Sequence, residues 1–199
     1  VKLETNLPEV LGVMVLPGVL LFPGSLVPLY IFEQRYRRML ADALATQRIF
    51  GIVPRSEMDR RDSDLAGVGL IRACVGNEDG TSHLVLLGLY RVCIVDWLQD
   101  TDYPTVRVKA LENQPPPSGD AAPLRRKITR LCRSLAKKGR ELPPHFENVM
   151  AATPEPSEFS DLVAGSLVDD PSVREYLFYE LDASRRLKTL ADYLSAKNL

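Results

Sequence analysis

Prolines and glycines at Pro17, Gly18, Pro23, Gly24 and Pro28 break the longest apolar stretch of the chain, Val13 to Phe32. A membrane-spanning helix needs roughly 20 continuous apolar residues, and proline disrupts a helix interior. The stretch is therefore expected to fold as strands and tight turns. Val10 to Leu16 reads as a strand. Leu16-Pro17-Gly18-Val19 reads as a turn in which proline sets one dihedral and glycine accepts a positive one. Val19 to Phe22 is a second short apolar piece, and Pro23-Gly24 turns the chain again. Leu26 to Phe32 reads as a further strand. Its Pro28 has no N–H for a ladder, which places it at an edge or a bulge. No polar alternation runs through the ribbon, so burial on both faces, or inside a barrel, is expected.

The period changes at Glu33. Tyr36, Met39, Leu40, Ala43 and Leu44 recur at helical spacing, so Glu33 to Thr46 reads as an amphipathic helix. Ile49 to Val53 follows as a strand, and residues 55 to 65 read as a charged, mobile surface loop. From Ala66 to Gln114 there are three β-rich runs. Asn77-Glu78-Asp79-Gly80 turns between the first two, and Asp100-Thr101-Asp102 marks the next reversal. Gly88 inside the middle run suggests a bulge or sharp bend. The proline-rich segment "NQPPPSGDAAP" reads as a linker. Beyond it, Leu124, Ile128, Leu131 and Leu135 mark a helix to about Gly139. Further helices are expected at Phe159 to Leu167 with Ser157 as cap, after the Asp170-Pro171 cap, and after Asp182.

The chain has 199 residues, 45% hydrophobic and 26% charged, with a net charge of -1. This is the composition of a globular protein with a real core. Near-neutrality argues against a general binder of nucleic acid or anionic membranes. Cys74, Cys93 and Cys132 are odd in number and widely spaced, so metal ligation is not expected and a reducing cytoplasm is. No basic start or cleavage site of a signal peptide is visible.

The segments "LPGVLLFPGSLVPLYIFEQRYRRML", "RIFGIV", "GVGLIRACVGNEDGTSHLVLLGLYRVCI" and the end from Ser172 through Leu187 resemble, in this order, the N-terminal domain family of Lon protease. The resemblance implies an α+β architecture: a PUA-like twisted β-barrel or sheet domain over residues 1–117, then an α-helical bundle over 118–199. It implies a non-catalytic role in binding polypeptide substrates, with unfolded or extended segments as partners and a protease or chaperone component as a further one. No nucleotide-binding G-x-x-x-x-G-K-[ST] loop occurs in the sequence, and the family's serine-lysine dyad lies in a later domain. Ser166 and Lys188 alone are no dyad signal. No catalytic residue, metal or cofactor is expected. An RNA-binding module or an accessory of an ATP-dependent protease is the alternative.

For the peptide site the candidates are Leu21, Phe22, Tyr30, Phe32, Glu33, Gln34, Arg35 and Tyr36. Some of the apolar ones, Leu20 included, are expected to stay exposed as a patch, because contiguous exposed apolar surface marks interaction sites. The start of the helix at Glu33 offers backbone N–H groups to a carbonyl or carboxylate. The cleft between sheet and helices is a second expected contact, and addition of a strand at the Pro28 edge a third. The basic run Arg125 to Arg140 lacks interleaved aromatic residues for base stacking and reads as a solvated face. Neither Glu141 with His145 nor Asp79 with His83 has a partner nucleophile, so neither pair is assigned chemistry.

Overall fold

Two type II turns shape the broken ribbon. Val19 N–H donates to Leu16 C=O, and Ser25 N–H donates to Phe22 C=O. Gly18 and Gly24 occupy the third position of each turn with φ of 73° and 79°, where a side chain would be strained. In the computed structural model, residues 7–54, 65–98, 101–111 and 121–198 are described. The charged segment 55–64, the first residue of the Asp100-Asp102 reversal and most of the proline-rich linker lie outside the described residues. The chain divides into two units, Val1–Leu111 and Glu112–Leu199. The expected boundary at 117/118 falls within the undescribed linker.

The first unit holds β1 (Val10–Val15), β2 (Leu26–Ile31), α1 (Gln34–Ala45), β3 (Ile49–Val53), β4 (Leu65–Gly76), β5 (Ser82–Leu98) and β6 (Thr105–Ala110). The sheet order is β2-β5-β4-β3-β1-β6, and β5 also pairs with β6. The length of β5 makes this possible. Ser82–Leu87 pairs with β2, whereas Val92–Leu98 pairs with β6. Strands β5, β4, β3, β1 and β6 thus close into a barrel, and β2 extends the sheet with one neighbour only. The β1–β3 pairing is parallel; the others are antiparallel.

The ribbon between β1 and β2 packs on the α1 side of this sheet, where Leu21 joins Tyr36, Met39 and Ile71; the barrel interior is lined instead by Leu11, Val13, Val68, Val92 and Val106. Leu20, Leu21 and Phe22 are buried, Leu21 and Phe22 completely. Each such burial is worth about 2 kcal/mol. The ribbon's backbone fits because β4 and β5 present glycines to it. A Cβ on Gly67 would stand 2.4 Å from the Leu21 carbonyl oxygen, and one on Gly88 would stand 2.0 Å from that of Phe22. Gly88 also exchanges backbone hydrogen bonds with Gly24 and Ser25, and the β4–β5 register shifts beside it. Its expected bulge is present, with close backbone approach as a second reason for glycine.

The expectation of two-sided burial fails for β2. Val27, Leu29 and Ile31 face the core, while Leu26, Pro28 and Tyr30 are exposed. Among the described residues no layer covers the outer face of this edge strand, so alternation returns. Pro28 lies on this edge strand, where its missing N–H costs no central ladder bond.

The second unit contains α2 (Ala121–Lys137), α3 (Phe146–Ala152), α4 (Pro156–Leu167), α5 (Pro171–Tyr179) and α6 (Ala183–Lys197). Helix α6 packs against α2 and α4. Asp170 caps α5 by accepting from Val173 N–H, and Asp182 caps α6 by accepting from the Ser184 and Arg185 N–H groups. Ser157 does not cap α4, which begins after Glu155 with Pro156 in its first turn. Instead, the Ser157 hydroxyl accepts from Arg186 Nη2 at 2.6 Å. Arg186 Nη1 also donates to Asp161 at 2.5 Å, and both members of this ion pair are buried. The hydroxyl goes to a buried cation, and no side chain caps the start of α4. The short α3 was not expected; Pro143-Pro144 hid it.

At the surface of this unit, Asp169 accepts from the Tyr193 hydroxyl and pairs with Arg140 at 3.1 Å and Lys197 at 3.3 Å. The Tyr193 hydrogen bond, then Arg140, holds its carboxyl well below the ordinary 3.8. A depressed folded-state pKa gives stability that is complete above the unfolded value and is lost as pH falls through the folded one. The helical unit is therefore expected to weaken progressively as pH drops below about 4. In Asp169→Asn that acid-side slope is shallower, read by denaturant titration at stepped pH; the exposure of the pair keeps the effect small.

Candidate functional site

Because side chains alternate across a strand, the outer faces of β2, β5 and β4 line up in rows. Tyr30 pairs with His83, which pairs with Val75; Pro28 pairs with Val85, which pairs with Ala73; Leu26 pairs with Leu87. Leu26 is 62% exposed, Tyr30 46%, Phe32 60% and Val75 65%. The Tyr30 ring stacks on His83 with centroids 4.6 Å apart and on Phe32 at 5.8 Å. The result is one contiguous apolar and aromatic face on a rigid three-stranded platform.

The candidates named from sequence separate clearly. Tyr30 and Phe32 stand on this face. Glu33, Gln34 and Arg35 follow at the start of α1, with Gln34 and Arg35 exposed. No side chain caps that helix start, because the Glu33 carboxylate turns to Arg35 at 2.8 Å. Leu21 and Phe22 are enclosed beneath the glycines of β4 and β5, and their side chains reach no surface. Tyr36 is likewise buried. Its ring lies under Arg35, with the guanidinium carbon 4.6 Å from the centroid, and its hydroxyl accepts from Val15 N–H at 3.2 Å. These three residues hold the site together from inside and do not line it.

Sequence reasoning missed His83, Val75, Leu26 and Val85. The signal was present: His83, Val85 and Leu87 alternate with Leu84 and Leu86, which are buried. Apolar residues on both faces of a strand mean either a second covering layer or an exposed patch, and here the second holds.

Among the described residues, acid–base groups do not converge here. Asp79 accepts from the Thr81 hydroxyl and backbone N–H, and these bonds, with Arg37 nearby, lower its pKa. It is engaged in its own turn. Elsewhere in the unit, Tyr103 donates to Asp42 at 2.8 Å beside a recess of about 340 Å³, lined in part by Gly12, Met39 and Phe50. Burial, then that hydrogen bond, pushes the Tyr103 hydroxyl up to about 12, so it holds its proton and ties the segment before β6 to α1. Burial pushes the Cys132 thiol up to about 12 as well, which removes its nucleophilic form. Among the described residues no group of three or more His, Cys, Asp or Glu side chains is placed to hold a metal ion. No helix among them is long and apolar enough to cross a membrane.

The family model for the substrate-binding domain of ATP-dependent protease La (LON) matches residues 10–196. The chain belongs to this family. Lon protease 2 of Myxococcus xanthus and the Lon protease of Anaeromyxobacter dehalogenans are each 24% identical over 98% of this chain, which covers 24% of their own length. The chain thus spans about a quarter of the curated Lon relatives it matches. Among solved structures, the N-terminal domain of Mycobacterium avium complex Lon protease superposes with a TM-score of 0.74 at 17% identity. It covers 94% of this chain and 98% of that one. The Lon N-terminal domain protein from Xanthomonas campestris gives 0.65 at 20% identity, covering 92% and 98%. These likenesses establish the Lon N-terminal fold, a mixed sheet with a helical C-terminal part.

Proposed function

We propose that this chain binds extended, apolar segments of unfolded polypeptides on the outer face of β2, β5 and β4, without a catalytic step of its own. The observation that carries this reading is the stacked Phe32–Tyr30–His83 row beside exposed Leu26 and Val75. Paired strands hold the Tyr30 and His83 rings in place, so little conformational freedom is lost there when a segment docks. The Lon substrate-binding family supports the class of ligand. The face is a better docking surface than the free edge of β2, because Pro28 offers an incoming strand no N–H. Gln34 and the uncapped start of α1 lie next to Phe32 and supply polar contacts for a peptide carbonyl. The chain acts in this reading as the recognition part of a proteolytic system in the cytoplasm; free Cys74, Cys93 and Cys132 suit a reducing compartment.

The test is affinity for a permanently unfolded model protein, read by fluorescence anisotropy. Tyr30→Ala and Phe32→Ala are each expected to weaken binding about tenfold, the cost of removing an aromatic hot spot. Single-stranded RNA should compete poorly. Unchanged affinity in both variants, or tighter binding of RNA, would count against the proposal.

A further inference from the structure

Helix α2, with the sequence AAPLRRKITRLCRSLAK, carries basic residues and no acidic one. Its buried side chains are Ile128, Cys132 and Leu135. At 100° per residue, Arg126, Arg130, Arg133 and Lys137 fall within an arc of about 60° on the opposite side. They rise along about 16 Å of helix, roughly one cation per turn. All four are exposed. Arg133 pairs with Glu147 at 2.9 Å; Arg126, Arg130 and Lys137 have no carboxylate partner among the described residues. Arg125 is used differently. It turns inward, donates to the Met150 and Pro154 carbonyls and lies over the Phe159 ring. The fold thus separates one structural arginine from a ridge of cations of which, among the described residues, it pairs Arg133 alone with a carboxylate.

We infer that this ridge docks an acidic helix of a protein partner, one that presents carboxylates at i, i+4, i+7 and i+11. Two helices laid edge to edge match charge for charge, because both repeat at the same spacing. The ridge is narrow and straight, as one helix edge requires. The helical unit as a whole has equal numbers of acidic and basic residues, so it lacks the net positive field that gathers a polyphosphate strand. No aromatic side chain stands between the cations for base stacking. The ridge belongs to the helical unit and the apolar sheet face to the other, and its test does not depend on that site.

The experiment uses the full chain and a labelled, alanine-based helical peptide of about five turns with glutamates on one edge. A scrambled peptide of the same composition spreads its glutamates around the helix. Anisotropy should show binding of the first peptide, weaker binding of the second, and a loss of at least tenfold between about 0.05 and 0.5 M salt. Arg130→Glu and, separately, Arg126→Glu should each weaken binding about tenfold, while Lys188→Glu on α6 leaves it unchanged. Circular dichroism checks each fold, and either ridge variant decides alone if the other fails to fold. No binding, equal binding of the scrambled peptide, ridge variants that match Lys188→Glu, or tighter binding of duplex DNA each overturns the inference.

Discussion

Gly88→Ala is expected to destabilise the barrel by about 3 kcal/mol or more, at the upper end of overpacking penalties. The added methyl would sit 2.0 Å from the Phe22 carbonyl oxygen, and backbone, unlike a side-chain tip, cannot swing away. The ribbon would have to lift, which exposes Leu21 and Phe22 and breaks the Gly24–Gly88 and Gly88–Ser25 backbone bonds. Gly76→Ala is the control. It lies in the same strand pair, and its Cβ would meet only Ser82 Oγ at 3.9 Å. A change within about 0.5 kcal/mol is expected there. Trp97, the single tryptophan, lies on β5 and reports urea unfolding of this unit by fluorescence. Equal midpoints for the two variants would mean that the ribbon does not depend on the glycine floor.

Asp161→Ala in the helical unit is expected to cost about 3–5 kcal/mol, because it leaves the Arg186 guanidinium buried without its counter-charge. Ser157 accepts one guanidinium hydrogen bond but carries no charge to balance it. The pair joins α4 to α6. Replacing both members, Asp161→Leu with Arg186→Met, should restore most of the loss, since the desolvation penalty disappears along with the attraction. Far-UV circular dichroism during chemical denaturation measures both variants. A single Asp161→Ala variant as stable as the parent would show that the pair is not what registers these helices.

Much of the local structure was legible in the residues, because its causes are local. Leu16-Pro17-Gly18-Val19 and Phe22-Pro23-Gly24-Ser25 state their turns outright, and Asp170-Pro171 states a cap and a helix start. The helical period from Tyr36 to Leu44 fixed the face of α1. What stayed hidden depends on distant partners. Whether Leu21 or Leu26 is enclosed turns on the double pairing of β5, which lies some sixty residues along the chain. An apolar ribbon without alternation cannot say which of its members points inward. The glycines at Gly67 and Gly69 were a usable signal, since glycine inside a strand marks close approach of another segment, and a Cβ at either would meet Leu21. Ser157 had the sequence context of a cap, and only the fold reveals Arg186 beside it. Of the residues named from sequence, Tyr30 and Phe32 stand on the exposed sheet face, and His83 joins them through strand pairing alone.

Site-directed photocrosslinking tests capture on the sheet face most directly. A photoreactive side chain is placed at Val75, on that face, or at Val149, an exposed position of the helical unit. Each protein is irradiated with the same unfolded polypeptide. Strong labelling from position 75, weak labelling from 149, and loss of the former when Phe32→Ala is added are the expected results. Equal labelling from both positions, or labelling at 75 that ignores the loss of Phe32, would contradict the account.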